Sequence, residues 1–188
     1  MSSDFGEIPR WASRALQGIT YWIGHRRCLY RNYPLGESAI VAEICNLIYA
    51  NLSDQDELTC EIQYTDLIRG KATPTILTGR ARADLVIADQ SKTAPEIDPK
   101  FIIEVKRATA ARAQVDLDLR RLAEAHSRHP TARTFLFVVA EAGRPKRFVT
   151  ELGASVRGMQ TIPETRAYFR VRRTWKAAHA YSNILRRI

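Results

Sequence analysis

Three ionisable residues stand inside two otherwise apolar segments: Asp84 in the run from Arg82 to Ile87, and Glu104 and Lys106 in the run from Phe101 to Lys106. Both runs are built from Val, Ile, Leu and Phe, the composition of buried strands. Alternation places Ala83, Leu85 and Ile87 on one face of the first strand and Asp84 on the other, between Arg82 and Val86. In the second strand Phe101, Ile103 and Val105 share one face, and Glu104 and Lys106 share the opposite one. A charged group on a largely buried strand costs on the order of several kcal/mol unless it is paired or binds an ion. A divalent cation between Asp84 and Glu104 would compensate both. Mg²⁺ prefers hard oxygen ligands, commonly one or two carboxylates with waters and a substrate phosphate, and a backbone carbonyl near Val105 would complete the protein's share. Mn²⁺ is the expected substitute. The competing reading is a structural Glu104–Lys106 ion pair, with Asp84 satisfied by Arg82 or by backbone.

The elements that position these groups follow from periodicity. Residues 9–24 have helical spacing, with Trp11, Ala15, Ile19, Trp22 and Ile23 on the apolar side, and His25 to Tyr33 reads as a basic, aromatic connection. A second helix is expected over 35–52 and a strand over 59–67, followed by a loop over 68–78. The two charged strands, 80–88 and 100–108, form a hairpin across a long turn containing Pro95, Asp98 and Pro99. A helix over 109–127 carries Val115, Leu119 and Leu122 on one stripe. The run Phe135-Leu136-Phe137-Val138-Val139 within 134–141 reads as a strand buried on both faces, and 166–175 as a final strand. The fold class is therefore α/β, a central mixed sheet flanked by helices.

Asp84, nineteen residues, then Glu104-Val105-Lys106 resembles the PD-(D/E)XK, or restriction-endonuclease-like, superfamily. Its pattern is an aspartate on one strand, then an acidic residue, any residue and lysine on the next. The order helix, three strands, helix, strand over 35–141 resembles its αβββαβ core. Ala83 stands where the family's name has proline. The resemblance implies Mg²⁺-dependent hydrolysis of a DNA phosphodiester, by an endonuclease of restriction, phage-defence or resolvase type, with Asp84, Glu104 and Lys106 as catalytic residues. It also implies a further glutamate from the first core helix. Glu37 falls in the arc of Ile40, Val41, Ile44, Leu47 and Ile48, and Glu43 lies off its edge, so Glu37 is the first choice and Glu43 the alternative. Gln114 occupies the helix where several members place a polar residue facing the site.

Charge is segregated. Residues 1–142 hold 18 Lys/Arg and 18 Asp/Glu, and residues 143–188 hold 11 Lys/Arg against Glu151 and Glu164, so the net +9 of the 188-residue chain lies in its last quarter. Such a segment attracts polyanions through counterion release. Arg107, Arg112, Arg170, Arg172 and Arg173 are candidate phosphate contacts. One nuclease domain is expected over 1–188: a helical extension over 1–34, a catalytic core over 35–141 and a basic segment over 143–188. One site of this kind cuts one strand, which makes a homodimer the expected assembly for duplex cleavage. The start of the chain lacks a basic segment followed by an apolar one, and no apolar run is long enough to span a bilayer, so a soluble cytoplasmic protein is expected. Cys28, Cys45 and Cys60 read as buried free thiols. The rival function is a non-catalytic module that binds nucleic acid or a partner on the same fold.

Overall fold

The computed structural model describes residues 7–29, 35–68, 76–77, 79–90, 97–141 and 145–171. Helix α1 spans Arg10–Leu29, with Trp11, Ala12, Ala15, Ile19 and Ile23 buried at spacings that return to one face. It runs past the expected end at Gly24, since nothing from His25 to Leu29 breaks a helix. Arg26 and Arg27 in its last turn complement the helix dipole. Helix α2 spans Glu37–Tyr49 and buries Ile40, Ile44 and Ile48. It lies so close to α1 that a Cβ on Gly18 would stand 2.7 Å from a Leu47 methyl, so a larger residue there would make the Leu47 side chain shift.

Strands β1 (Asp56–Gln63), β2 (Arg82–Asp89), β3 (Pro99–Arg107) and β4 (Arg133–Val139) form one mixed sheet in that spatial order. The β1–β2 and β2–β3 pairs are antiparallel and β3–β4 is parallel. Between β1 and β2 the chain forms a short helical turn, α3 (Tyr64–Leu67), where sequence spacing continues the strand to residue 67. The Tyr64 N–H donates to the Ala81 carbonyl, and its ring is fully buried beneath the sheet, so burial of an aromatic side chain ends the strand four residues early. Helix α4 (Arg112–Arg128) precedes β4.

Helices α1 and α2 cover one face of the sheet, packing on Leu85, Ile87, Ile103, Val105, Phe137 and Val139. On the other face Ala83, Val86 and Ile102 pack with Tyr64, Leu122 and Ala125. Strand β4 lies at the edge of the sheet, and only Phe137 and Val139 are fully buried along it, in place of burial on both faces. The basic segment is anchored by its apolar residues: β5 (Met159–Thr161) pairs with β6 (Tyr168–Arg170), and Ile162, Phe148 and Phe169 pack on Val115 and Leu119 of α4. The expected last strand is thus three residues long among the described residues.

Candidate active site

The expected alternation of β2 fails at Asp84. Leu85 and Ile87 pack under α1 and α2, whereas Ala83 packs in the core on the α4 side. The cause lies in the neighbouring strand. The β1–β2 register passes from Cys60↔Leu85 to Ile62↔Ala83, and between them Glu61 has φ 56°, a left-handed conformation that a non-glycine residue adopts only under constraint. The paired strands therefore turn over at the level of Asp84.

The β2–β3 ladder ends at Leu85↔Ile103, one step short of Asp84 and Glu104, while the β3–β4 ladder continues to Arg107↔Val139. Beyond that step the edge of β3 facing β2 has no strand partner among the described residues, and side chains take its N–H groups. Val105 N–H donates to Asp84 Oδ2 at 2.6 Å, and Arg107 N–H donates to Glu37 Oε2 at 3.4 Å. The Val105 carbonyl lies on the same edge as its N–H, since each strand residue directs both groups to one side. Asp84, Glu104, Lys106 and Glu37 are thus gathered where two strands part, with the Asp84 and Glu104 carboxyls close enough for each to perturb the other's ionisation.

Glu104 is 2% exposed, and its Oε1 accepts the Tyr64 hydroxyl at 2.6 Å. Burial, and then the Asp84 charge, push the Glu104 carboxyl up to about 9, against the lowering effect of the Tyr64 hydrogen bond. Asp84 is also raised by burial, although the Val105 N–H and Lys106 oppose the shift. Two carboxyls this close disfavour each other's ionisation, an effect that a bound cation would relieve.

Lys106 pairs with Glu37 and Asp118 rather than with Glu104. Its Nζ lies 3.0 Å from Glu37 Oε1 and 3.4 Å from Asp118 Oδ2. Burial pulls the ammonium's pKa down, but the Glu37 hydrogen bond and the Asp118 and Asp84 charges outweigh it and hold the group above the ordinary lysine range. Asp118, buried on α4, also takes Arg121 Nη1 at 3.1 Å on Oδ1.

Tyr64 and Asp118 are the two members that sequence reasoning passes over. Asp118 had a signal: it lies three residues after Val115 and four before Leu122, on the stripe α4 buries. Of the candidate phosphate contacts, Arg107 is paired with Glu141 at 2.8 Å, Arg112 is exposed beside Asp116, and Gln114 and Arg170 are exposed. Arg172 and Arg173 lie outside the described residues. Glu43 is half-buried on α2 and Glu37 is the helix acid that reaches Lys106. His126 and His129 are taken by the Ala132 and Leu67 carbonyls.

Among the described residues no set of three or more His, Cys, Asp or Glu side chains is arranged to hold a metal ion. A two-carboxylate site is still compatible with Mg²⁺, which usually keeps several waters. With both Asp84 and Glu104 ionised, as a bound cation would allow, Glu37, Asp84, Glu104 and Asp118 against Lys106 and Arg121 would leave two negative charges for the cation to offset. Among the described residues no helix is long and apolar enough to cross a membrane. Comparison with protein-family models, curated proteins and solved structures gave no match.

Proposed function

We propose that the chain is a Mg²⁺-dependent DNA endonuclease with a restriction-endonuclease-like core. The observation that carries this reading is the placement of half-buried Asp84 beside buried Glu104 at the point where β2 leaves β3, with the Lys106 ammonium fixed beside them. The order α2, β1, β2, β3, α4, β4, interrupted only by the turn α3, supports the same core.

Asp84, Glu104 and the Val105 carbonyl would hold the cation, which when bound lowers the pKa of a coordinated water and neutralises charge on the phosphate. The chain's own groups do the positioning. Tyr64 fixes one oxygen of Glu104, and the Val105 N–H fixes one oxygen of Asp84, so each carboxyl keeps a second oxygen for the cation. Glu37 and Asp118 hold Lys106 protonated, which suits it to orienting a water and stabilising a phosphate oxygen and makes it a poor general base. Arg107, next to Lys106 in the chain, and the exposed Arg112 would contact the DNA backbone, and duplex cleavage by one such site per chain calls for a homodimer.

The test is nicking of supercoiled plasmid with Mg²⁺, Mn²⁺ or Ca²⁺. Nicking with Mg²⁺ and Mn²⁺, absent with Ca²⁺ and absent in Asp84→Ala, supports the reading. Salt-sensitive DNA binding without cleavage under any metal would support a binding module instead.

A further inference from the structure

Cys45 and Cys60 lie on different elements, α2 and β1, yet their sulfurs are 3.1 Å apart, about 1 Å beyond the length of a disulfide bond. They are not the buried thiols that their apolar neighbours imply: Cys60 is exposed on the edge strand and Cys45 is half-buried on the outer part of α2. Among the described residues strand β1 has no partner on its outer side, and Cys60 is exposed there, so a small reagent in solution can reach the pair. We propose that Cys45 and Cys60 form a reversible disulfide-exchange site whose co-reactant is a small-molecule disulfide of the glutathione type.

Either thiol can open the exchange, because the two sulfurs are 3.1 Å apart and each can resolve a mixed disulfide formed on the other. With Cys45 first, its thiolate attacks one sulfur of the small disulfide, forming a mixed disulfide and releasing one thiolate. Cys60 then attacks the Cys45 sulfur, its proton passing to the departing second thiol. Two protein thiols are oxidised, one small disulfide is reduced to two thiols, and the step reverses with excess reduced thiol.

The bond would close the chain between residues 45 and 60, a 15-residue separation, and staple α2 to β1. Helix α2 begins with Glu37, the partner of Lys106, and Cys60 precedes Glu61, which lies opposite Asp84. The staple therefore joins two elements bordering the candidate active site, although the proposal does not depend on what that site does.

The full-length protein would be equilibrated across oxidised-to-reduced glutathione ratios, acid-quenched, alkylated and mapped by peptide mass spectrometry. The expected result is a Cys45–Cys60 bond within one chain that grows with oxidised glutathione, disappears with dithiothreitol and persists in Cys28→Ser. Closing a loop of this size is expected to raise the melting midpoint by roughly 5–10 °C. Cys60→Ser, a change at an exposed position, should leave glutathione trapped on Cys45. Free Cys45 and Cys60 at every ratio, or oxidation confined to Cys28, would overturn the proposal.

Discussion

The Tyr64 hydroxyl donates to Glu104 Oε1 at 2.6 Å inside a core where both side chains are almost inaccessible to water. Burial and the neighbouring Glu104 charge raise the phenol's pKa, so it acts as a donor throughout the physiological range. Tyr64→Phe removes that donor and leaves the ring's packing intact. The expected effect is a 10–100-fold rise in the Mg²⁺ concentration needed for half-maximal cleavage, the scale of losses when a ligand's outer partner is removed. Metal titrations of plasmid nicking read it. A merely structural role for Tyr64 would lower the melting temperature and leave the metal dependence unchanged.

Glu104 makes stability depend on pH in a definite direction. Its folded-state pKa of about 9 exceeds the ordinary 4.5, so the folded chain holds a proton that the unfolded chain releases. The stability associated with that proton is present below about 4.5 and is lost as pH rises through about 9. In chelator, the melting midpoint of the wild type should therefore fall between pH 6 and pH 8.5 more steeply than that of Glu104→Gln. Mg²⁺ should reduce the difference, since it binds the ionised form. Parallel pH profiles for the two proteins would show that Glu104 is not the group responsible.

Lys106 is held by two carboxylates, one half-exposed and one buried, and removing it should have two consequences. Lys106→Ala is expected to slow cleavage about 100-fold or more, the scale of losing a charge-stabilising donor. It should also destabilise the fold by about 1–3 kcal/mol, because Asp118 keeps only Arg121. Urea melts and single-turnover cleavage separate the two. Asp118→Asn should retain the fold and slow cleavage less than Lys106→Ala; equal losses would place Asp118 among the reacting groups.

Glu37 contributes to the site more than to stability. Its side chain is 40% exposed, so the ion pair with Lys106 is screened and worth no more than about 1 kcal/mol. Glu37→Gln should leave the urea midpoint nearly unchanged and lower the cleavage rate roughly 10-fold, because Lys106 loses one of its two anchors. Full activity in Glu37→Gln would leave Asp118 as the sufficient anchor.

The legible parts of this chain are those written in periodicity. The spacing of Ile40, Ile44 and Ile48 gave the buried face of α2 and so the inward placement of Glu37, and the apolar strands around Asp84, Glu104 and Lys106 marked all three. What escaped was determined by contacts between distant segments. The turnover of β2 at Asp84 depends on the left-handed backbone of Glu61, twenty-three residues earlier, which no local pattern announces. Tyr64 sits where a strand pattern continues, and only its contact with Glu104, forty residues on, accounts for the inward turn. Strand β4 has the composition of a central strand but lies at the sheet edge, where β4 is covered by α1 and α2 on one face and only partly by α4 on the other.

The site as described requires Asp84 and Glu104 to share one hard cation. Titration of the chain with Mn²⁺, followed by electron paramagnetic resonance of the free ion, measures that sharing without reference to any substrate. Saturable binding in the wild type, weakened at least about 10-fold in both Asp84→Asn and Glu104→Gln, is the expected result. Binding of equal strength in all three proteins would contradict a cation site built on these two carboxylates.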